Sequence, residues 1–182
     1  MSKKQTGYLR DSIKRRLAEC RLELQPEKTK IVYCKDANRP GSYLKEKFDF
    51  LGFTFRPRLS KSRKGKLYVS FSPAVSNEAT KSIRQTIRSW RLPRRSDKSL
   101  EDFARMFDPM IRGWINYYGS YYKSALYPTL WHLDSLLSKW ASRKYGRLRG
   151  RQREAQRWLG RVRHGRPWLF AHWRFAYGSA GR

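Results

Sequence analysis

The side chains best equipped for chemistry in this chain are cations, and they recur at helical spacing. Lys81, Arg84, Arg88 and Arg91 stand three to four residues apart, and Arg94 and Arg95 follow at once. Such a stripe repels itself in isolation. Phosphates would relieve that repulsion, so this face reads as a contact for nucleic acid. A second set gathers around Arg112-Gly113-Trp114-Ile115-Asn116-Tyr117-Tyr118-Gly119. At helical steps Ile111, Trp114, Tyr118 and Tyr121 share an apolar, aromatic face suited to a core. Arg112, Asn116 and Tyr117 fall on other faces with hydrogen-bonding groups to offer.

Acid–base and metal chemistry is poorly served by comparison. His132, His164 and His172 have neither cysteine partners nor ligand spacing and read as structural, surface or tail residues. Cys20 and Cys34 lie far apart without nearby histidines, which suits reduced structural thiols better than a disulfide or zinc site. The only adjacent acids, Glu101 and Asp102, open a predicted helix. There they complement the free amides and dipole, with Ser99 and Asp102 as a loose capping box. No metal and no cofactor is expected.

Charge points to the partner. Across 182 residues there are 42 Lys and Arg against 14 acids, a formal +28. That balance favours a polyanion. No apolar run is long enough to span or anchor in a membrane, and no signal peptide follows the two N-terminal lysines, so a cytoplasmic protein is expected.

The elements that would position these residues come in two styles. Leu9, Ile13, Leu17, Cys20 and Leu24 predict an amphipathic helix over roughly 8–22, ended by Pro26. Thr29–Cys34 reads as a strand, and Asn38, Pro40 and Gly41 as a loop. Phe48–Phe55 is apolar on both faces and reads as a buried strand or a tight hairpin interrupted at Gly52. Ser60–Gly65 is a basic turn, and Leu67, Val69 and Phe71 alternate as another strand, closed by Pro73. Helices follow. Ala79, Ile83, Ile87 and Trp90 place one over 76–90. Leu100, Phe103, Ala104 and Phe107 begin another at Ser99. Asp108-Pro109 is expected to break it and start a fresh helix that runs to about Tyr121. Leu130, Leu133, Leu137 and Trp140 give a further long helix, with Pro128 near its first turn. Short connections imply antiparallel neighbours, hence a three-helix bundle. The arginine-dense run from Arg143 to Arg166 carries only a weak apolar stripe, through Ala155, Trp158, Leu159 and Val162. It reads as a short helix that either docks on the bundle or orders on RNA. The fold class is therefore α+β, with segments 1–72, 73–148 and a basic tail 149–182.

Motifs along the chain resemble the C-terminal part of group II intron reverse transcriptases, also called maturases. Ile-Arg-Gly-Trp-x-Asn-Tyr-Tyr looks like the centre of their maturase-specific domain, domain X. Ser72-Pro-Ala-Val, Ser82-Ile-Arg-Gln, Arg94-Arg-Ser-Asp-Lys-Ser-Leu-Glu-Asp and Trp140-Ala-x-Arg-Lys-Tyr keep the family's order and approximate spacing. Leu22–Lys30 is similar to the segment after the family's catalytic Tyr-x-Asp-Asp strand, and Phe48–Phe55 to its last palm hairpin. The likeness covers about residues 8–175.

The resemblance implies that 1–72 is the end of a polymerase palm and 73–148 the thumb, which in this family also binds intron RNA and favours its active fold. Lys28 then falls on the motif-D lysine that assists the leaving group in such polymerases, although a solvated loop lysine is the better reading in this chain. Phe50, Leu51, Gly52 and Phe53 fall on the hairpin that holds the primer end. Structured RNA is read by shape, 2′-hydroxyls and aromatic stacking. The expected RNA contacts beyond the first stripe are therefore Arg112, Asn116, Tyr117, Tyr122, Arg143, Lys144 and Arg147, with Trp114, Tyr118 and Trp140 left as core. Tyr117 and Tyr122 could equally pack against a neighbouring helix. Nucleotidyl transfer by two metals needs converging carboxylates, and no Tyr-x-Asp-Asp occurs in the sequence. The expectation is an RNA-binding maturase fragment without its own polymerase centre, and not an enzyme. The alternatives are the thumb half of a split RNA-directed DNA polymerase, with a separate palm and finger fragment as partner, or a degenerate remnant with general nucleic-acid affinity.

Overall fold

The computed structural model describes residues 3–39 and 41–178, so Pro40 of the predicted loop and residues 179–182 of the predicted tail lie outside it. The fold is α+β, with six α-helices among the described residues and one three-stranded antiparallel sheet of order β1-β2-β3. The chain forms two compact units, 1–48 with 56–71, and 49–55 with 72–182.

The first unit opens with α1 (Lys3–Glu19). This helix ends well before Pro26. Arg21 takes a left-handed conformation (φ 57°), the Leu22 amide reaches back to the Leu17 carbonyl at 2.9 Å, and the Arg21 amide to that of Ala18 at 3.0 Å. This is a Schellman stop with arginine where glycine is usual. Residues 29–35 are not a strand; they run outside the sheet, with the Tyr33 amide bound to the Lys45 carbonyl. Their β-branched character finds no pleated neighbour to pack on, and strand propensity expresses little else. None of the described residues in this unit is buried.

The strands are β1 (Phe48–Phe50), β2 (Phe53–Lys61) and β3 (Leu67–Val75). Leu51 and Gly52 join the first two with positive φ at both positions (48° and 78°), the signature of a type I′ hairpin. The expected hairpin forms, but β1 is not buried: all three of its residues are exposed, and only Phe53 is enclosed. Pro73 does not close β3. The strand continues to Val75, because β3 is an edge strand and a missing amide costs nothing on its open side.

In the second unit, Ser76 caps α2 (Asn77–Ser89) by accepting the Ala79 amide at 3.1 Å. A left-handed Arg91 then turns the chain into a 3₁₀ turn over Leu92–Arg94. The helix α3 (Leu100–Tyr118) starts on a complete capping box between Ser99 and Asp102. It runs unbroken through Pro109, contrary to the expected restart. Asp108 is not a cap. Its carboxylate takes the Arg112 Nε at 2.6 Å and the Ala171 amide at 2.6 Å, so the residue beside the proline is held from two sides. The last long helices are α4 (Tyr127–Lys144), with Pro128 in its first turn, and α5 (Gln152–Gly165), followed by the short α6 (Ala171–Tyr177).

One core joins these helices. Ile83, Ile87, Ile111, Leu137, Trp140 and Trp173 are among its buried members. Trp90 stacks on Phe107 at 4.1 Å between ring centres and on Trp114 at 5.8 Å, which fixes the aromatic face of α3 against α2. The basic segment after residue 148 is docked, since Ala155, Leu159, Phe170 and Trp173 belong to the same core. The lock is Asp134 on α4. Its Oδ1 accepts His172 Nε2 at 2.8 Å and Trp173 Nε1 at 2.9 Å. Its Oδ2 accepts the Tyr177 hydroxyl at 2.6 Å and an Arg163 guanidinium N–H at 3.3 Å. Arg163 also lies over the Tyr177 ring, 3.5 Å from its centre.

Burial alone would raise the pKa of Asp134, yet the hydrogen bonds from His172, Tyr177 and Trp173 outweigh it and hold the group below its ordinary 3.8. A carboxyl depressed in the folded state stabilises it above the unfolded value, and that contribution fades as pH falls through the folded one. Replacing Asp134 by Ala strands several buried donors and should cost about 3–5 kcal/mol at neutral pH, read as a lowered Tm. The parent should lose stability below about pH 4, and Asp134→Asn should flatten that loss. An Asp134→Ala protein that melts with the parent would remove this carboxylate from its assigned role.

Candidate nucleic-acid interface

The helical unit can present cations because its core consumes so few of them. Ile83, Ile87 and Trp90 bury one side of α2, which turns Lys81 and Arg88 to solvent and leaves Arg84 half-buried. The left-handed Arg91 redirects the chain so that Arg94 does not continue the helical stripe. It falls instead beside α4. Leu133, Leu137 and Trp140 bury the inner side of that helix, and Lys139 and Arg143 emerge on the outer one. Between the two lies an open groove of about 460 Å³, lined by Arg88, Arg91, Arg94, Lys139 and Arg143 over a floor of Pro93 and Leu136. Among the described residues no acid lines it. An Arg143 guanidinium N–H donates to the Pro93 carbonyl at 3.2 Å, leaving the rest of its planar fork available for phosphate oxygens.

His132 stands near these cations. Its Nε2 is buried without a hydrogen-bond partner, as is Nε of Arg84. Burial first, then the charges of Arg88, Arg84 and Lys139, push its pKa below the ordinary 6.5. The chemistry of the groove is electrostatic: it can hold closely spaced anions without contributing a reactive group.

Residues 80–159, from the first turn of α2 to the middle of α5, match the family model described as group II intron, maturase-specific domain. Over this stretch the chain is similar to the maturase-specific domain of group II intron proteins. Comparisons with curated proteins and with solved structures gave no match. A maturase-specific domain serves intron RNA binding and splicing. Among the described residues no helix is long and apolar enough to cross a membrane.

Within the matched residues the predicted contacts separate into groups. Arg88, Arg91, Arg94 and Arg143 come together in the groove. Lys81 and Arg147 are exposed but do not line it. Two others have structural ties. Arg95 lies toward the Phe107 ring and its carbonyl accepts Trp140 Nε1 at 2.9 Å. Lys144 donates to the Lys98 carbonyl at 2.5 Å and lies over Trp140. Arg112 is held by Asp108 on another face of the unit, and Tyr122 is exposed.

Asn116 and Tyr117 meet the hairpin instead. With Phe50, Leu51, Phe53 and Tyr121 they frame an aromatic recess of about 390 Å³. The Tyr117 hydroxyl donates to the Leu51 carbonyl at 2.9 Å, so this ring packs at the hairpin while remaining partly exposed. Gly52 is required there twice over. Its φ is 78°, and a Cβ would lie 2.8 Å from the Tyr118 hydroxyl. Lys28, in the first unit, sits exposed in a turn.

Sequence reasoning missed Lys139, although it lies four residues before Arg143 on one helix, the spacing that puts two side chains on one face. It also missed Lys123, Trp168 and Arg174, which come together only through tertiary packing.

Removing a neighbouring cation should release His132. In a proton-detected NMR titration its midpoint should lie below 6.5 and move upward in Arg88→Gln. A midpoint that ignores this substitution would remove Arg88 from the charges that act on His132.

Proposed function

We propose that this maturase-specific domain grips intron RNA through the α2–α4 groove, and that the chain supplies binding without nucleotidyl transfer. The observation that carries the first half is the convergence of Arg88, Arg91, Arg94, Lys139 and Arg143 in one acid-free groove inside the matched residues. A folded intron packs its phosphates closely, and fixed cations on a rigid bundle offset their repulsion. Arginine suits this because its planar fork binds phosphate oxygens in pairs. The second half is supported by the use made of the adjacent acids. Asp102 accepts from the Ser99 backbone and hydroxyl, and Glu101 pairs with Arg166. Both are engaged in helix capping and surface pairing.

The test is binding of intron RNA over a salt series. Each phosphate contact contributes roughly 0.7–0.9 to the slope of log affinity against log salt. The triple variant Arg88→Gln, Lys139→Gln, Arg143→Gln should weaken binding and lower that slope by about 2–3. Preference for intron over unrelated RNA should persist near 150 mM salt, where charge alone is largely screened. An unchanged slope would move the RNA face elsewhere. A preference that vanishes would favour a remnant with general affinity.

One observation favours a further partner. The first unit has no buried described residue, and Tyr8, Leu9, Leu22 and Leu44 stand exposed on it. Apolar side chains in that number ordinarily meet another surface. A separately encoded palm and finger portion of a reverse transcriptase would cover them, making this chain the thumb of a split polymerase. Primer extension distinguishes the roles. The chain alone should copy no template, while a Tyr-x-Asp-Asp fragment of the same family should bind it and, in the split-polymerase case, restore copying. Unaided synthesis would overturn the binding-only reading.

A further inference from the structure

On a face built from α3 and α6, we infer a second site that takes an unpaired nucleotide of the RNA, distinct in residues from the α2–α4 groove. The inference rests on the RNA-binding reading above and adds to it a mode of recognition. A recess of about 540 Å³ is lined by Arg112, Lys123, Arg174 and Trp168, with Ala171, Phe175 and Gly178 completing its walls. None of these residues lines the first groove. The volume falls within the range that receives small ligands.

Two features distinguish this recess from a merely solvated basic surface. The first is that its principal cation is aimed. Arg112 gives its Nε to Asp108 at 2.6 Å, while 60% of its side chain stays exposed, so the guanidinium is oriented and its other N–H groups face outward. Asp108 also accepts the Ala171 amide, so one carboxylate registers Arg112 against the start of α6, which carries Arg174. The second feature is Trp168, 63% exposed at the rim among these cations. An indole exposed beside positive charge is the pairing that unpaired nucleotides require. Phosphates meet the cations while the base stacks on the ring.

A duplex cannot use that pairing, because its bases are already stacked on one another. The site is therefore selective for single-stranded segments, and the groove is not. Binding of a labelled oligouridylate and of a duplex RNA, both at about 150 mM salt, separates the two. Trp168→Ala should weaken the oligouridylate by roughly fivefold or more and leave the duplex unchanged. Trp168→Phe, which keeps a stacking face, should retain most of the affinity. Arg88→Gln with Arg143→Gln should weaken the duplex in the parent and in Trp168→Ala alike.

If Trp168→Ala leaves the oligouridylate unaffected, or weakens both ligands equally, the second site is refuted while the groove stands. If the parent protein binds neither RNA, the groove reading fails and takes this inference with it. A melting curve for Trp168→Ala that matches the parent shows that any loss comes from the rim and not from unfolding.

Discussion

A single carboxylate constrains the helical unit. Asp134 lies in the wall of α4 with nearly all of its surface withdrawn from water, and an unpaired charge there would cost several kcal/mol. Four donors offset that cost: an imidazole, an indole, a phenol and a guanidinium, two to each oxygen. A carboxylate has about four acceptor positions, so the set is complete. Three of the donors come from α6 and one from α5. Those two segments are thereby bound to α4 by a demand stricter than hydrophobic contact, because apolar surfaces can slide over each other and a saturated carboxylate cannot.

That lock explains how so basic a chain keeps a rigid surface. Arginines crowd the unit from residue 84 to residue 174, and mutual repulsion opposes its closure. The core answers with large aromatic rings: Trp90 sandwiched with Phe107 and Trp114, and Trp140 edge-on to Phe103. Since these rings and Asp134 fix the inner faces of α2 and α4, the residues one helical step away have no choice but to face outward. Lys139 and Arg143 are four apart on α4, and Arg88 stands opposite them on α2. The groove is what remains of the helix surfaces once the core has been satisfied.

Periodicity made most of that core legible. The steps through Ile83, Ile87 and Trp90, and through Leu130, Leu133, Leu137 and Trp140, named buried residues correctly because helical spacing depends only on local geometry. The Ser99–Asp102 capping box was equally readable, being contained within four residues. Asp108-Pro109 misled because the same dipeptide that starts a helix also survives inside one when the neighbouring carboxylate is held by Arg112 and Ala171, and Ala171 is 63 residues away. The left-handed stop at Arg21 was hidden for a related reason, since nothing in an arginine announces positive φ. Four of the groove's cations, Arg88, Arg91, Arg94 and Arg143, were named from the sequence, though not as one surface. Its completion by Lys139, like the cluster around Asp134, depends on which helices become neighbours.

The two units also differ in what they need from outside. The helical unit closes its own core, and the residues that match the maturase-specific domain supply most of it. They do not supply all. Leu159 is the last matched residue, yet Phe170 and Trp173 lie in the core and His172, Trp173 and Tyr177 complete the Asp134 set. A chain stopped at the matched boundary would leave a buried charge with none of its four donors, because Arg163 lies past that boundary as well. The folded unit therefore extends to α6, beyond the stretch by which the family is recognised. The unit containing α1 shows the opposite condition, with no described residue buried and apolar side chains in water. Hydrophobic burial is the main source of folding free energy, so whatever order that unit holds owes little to a core of its own.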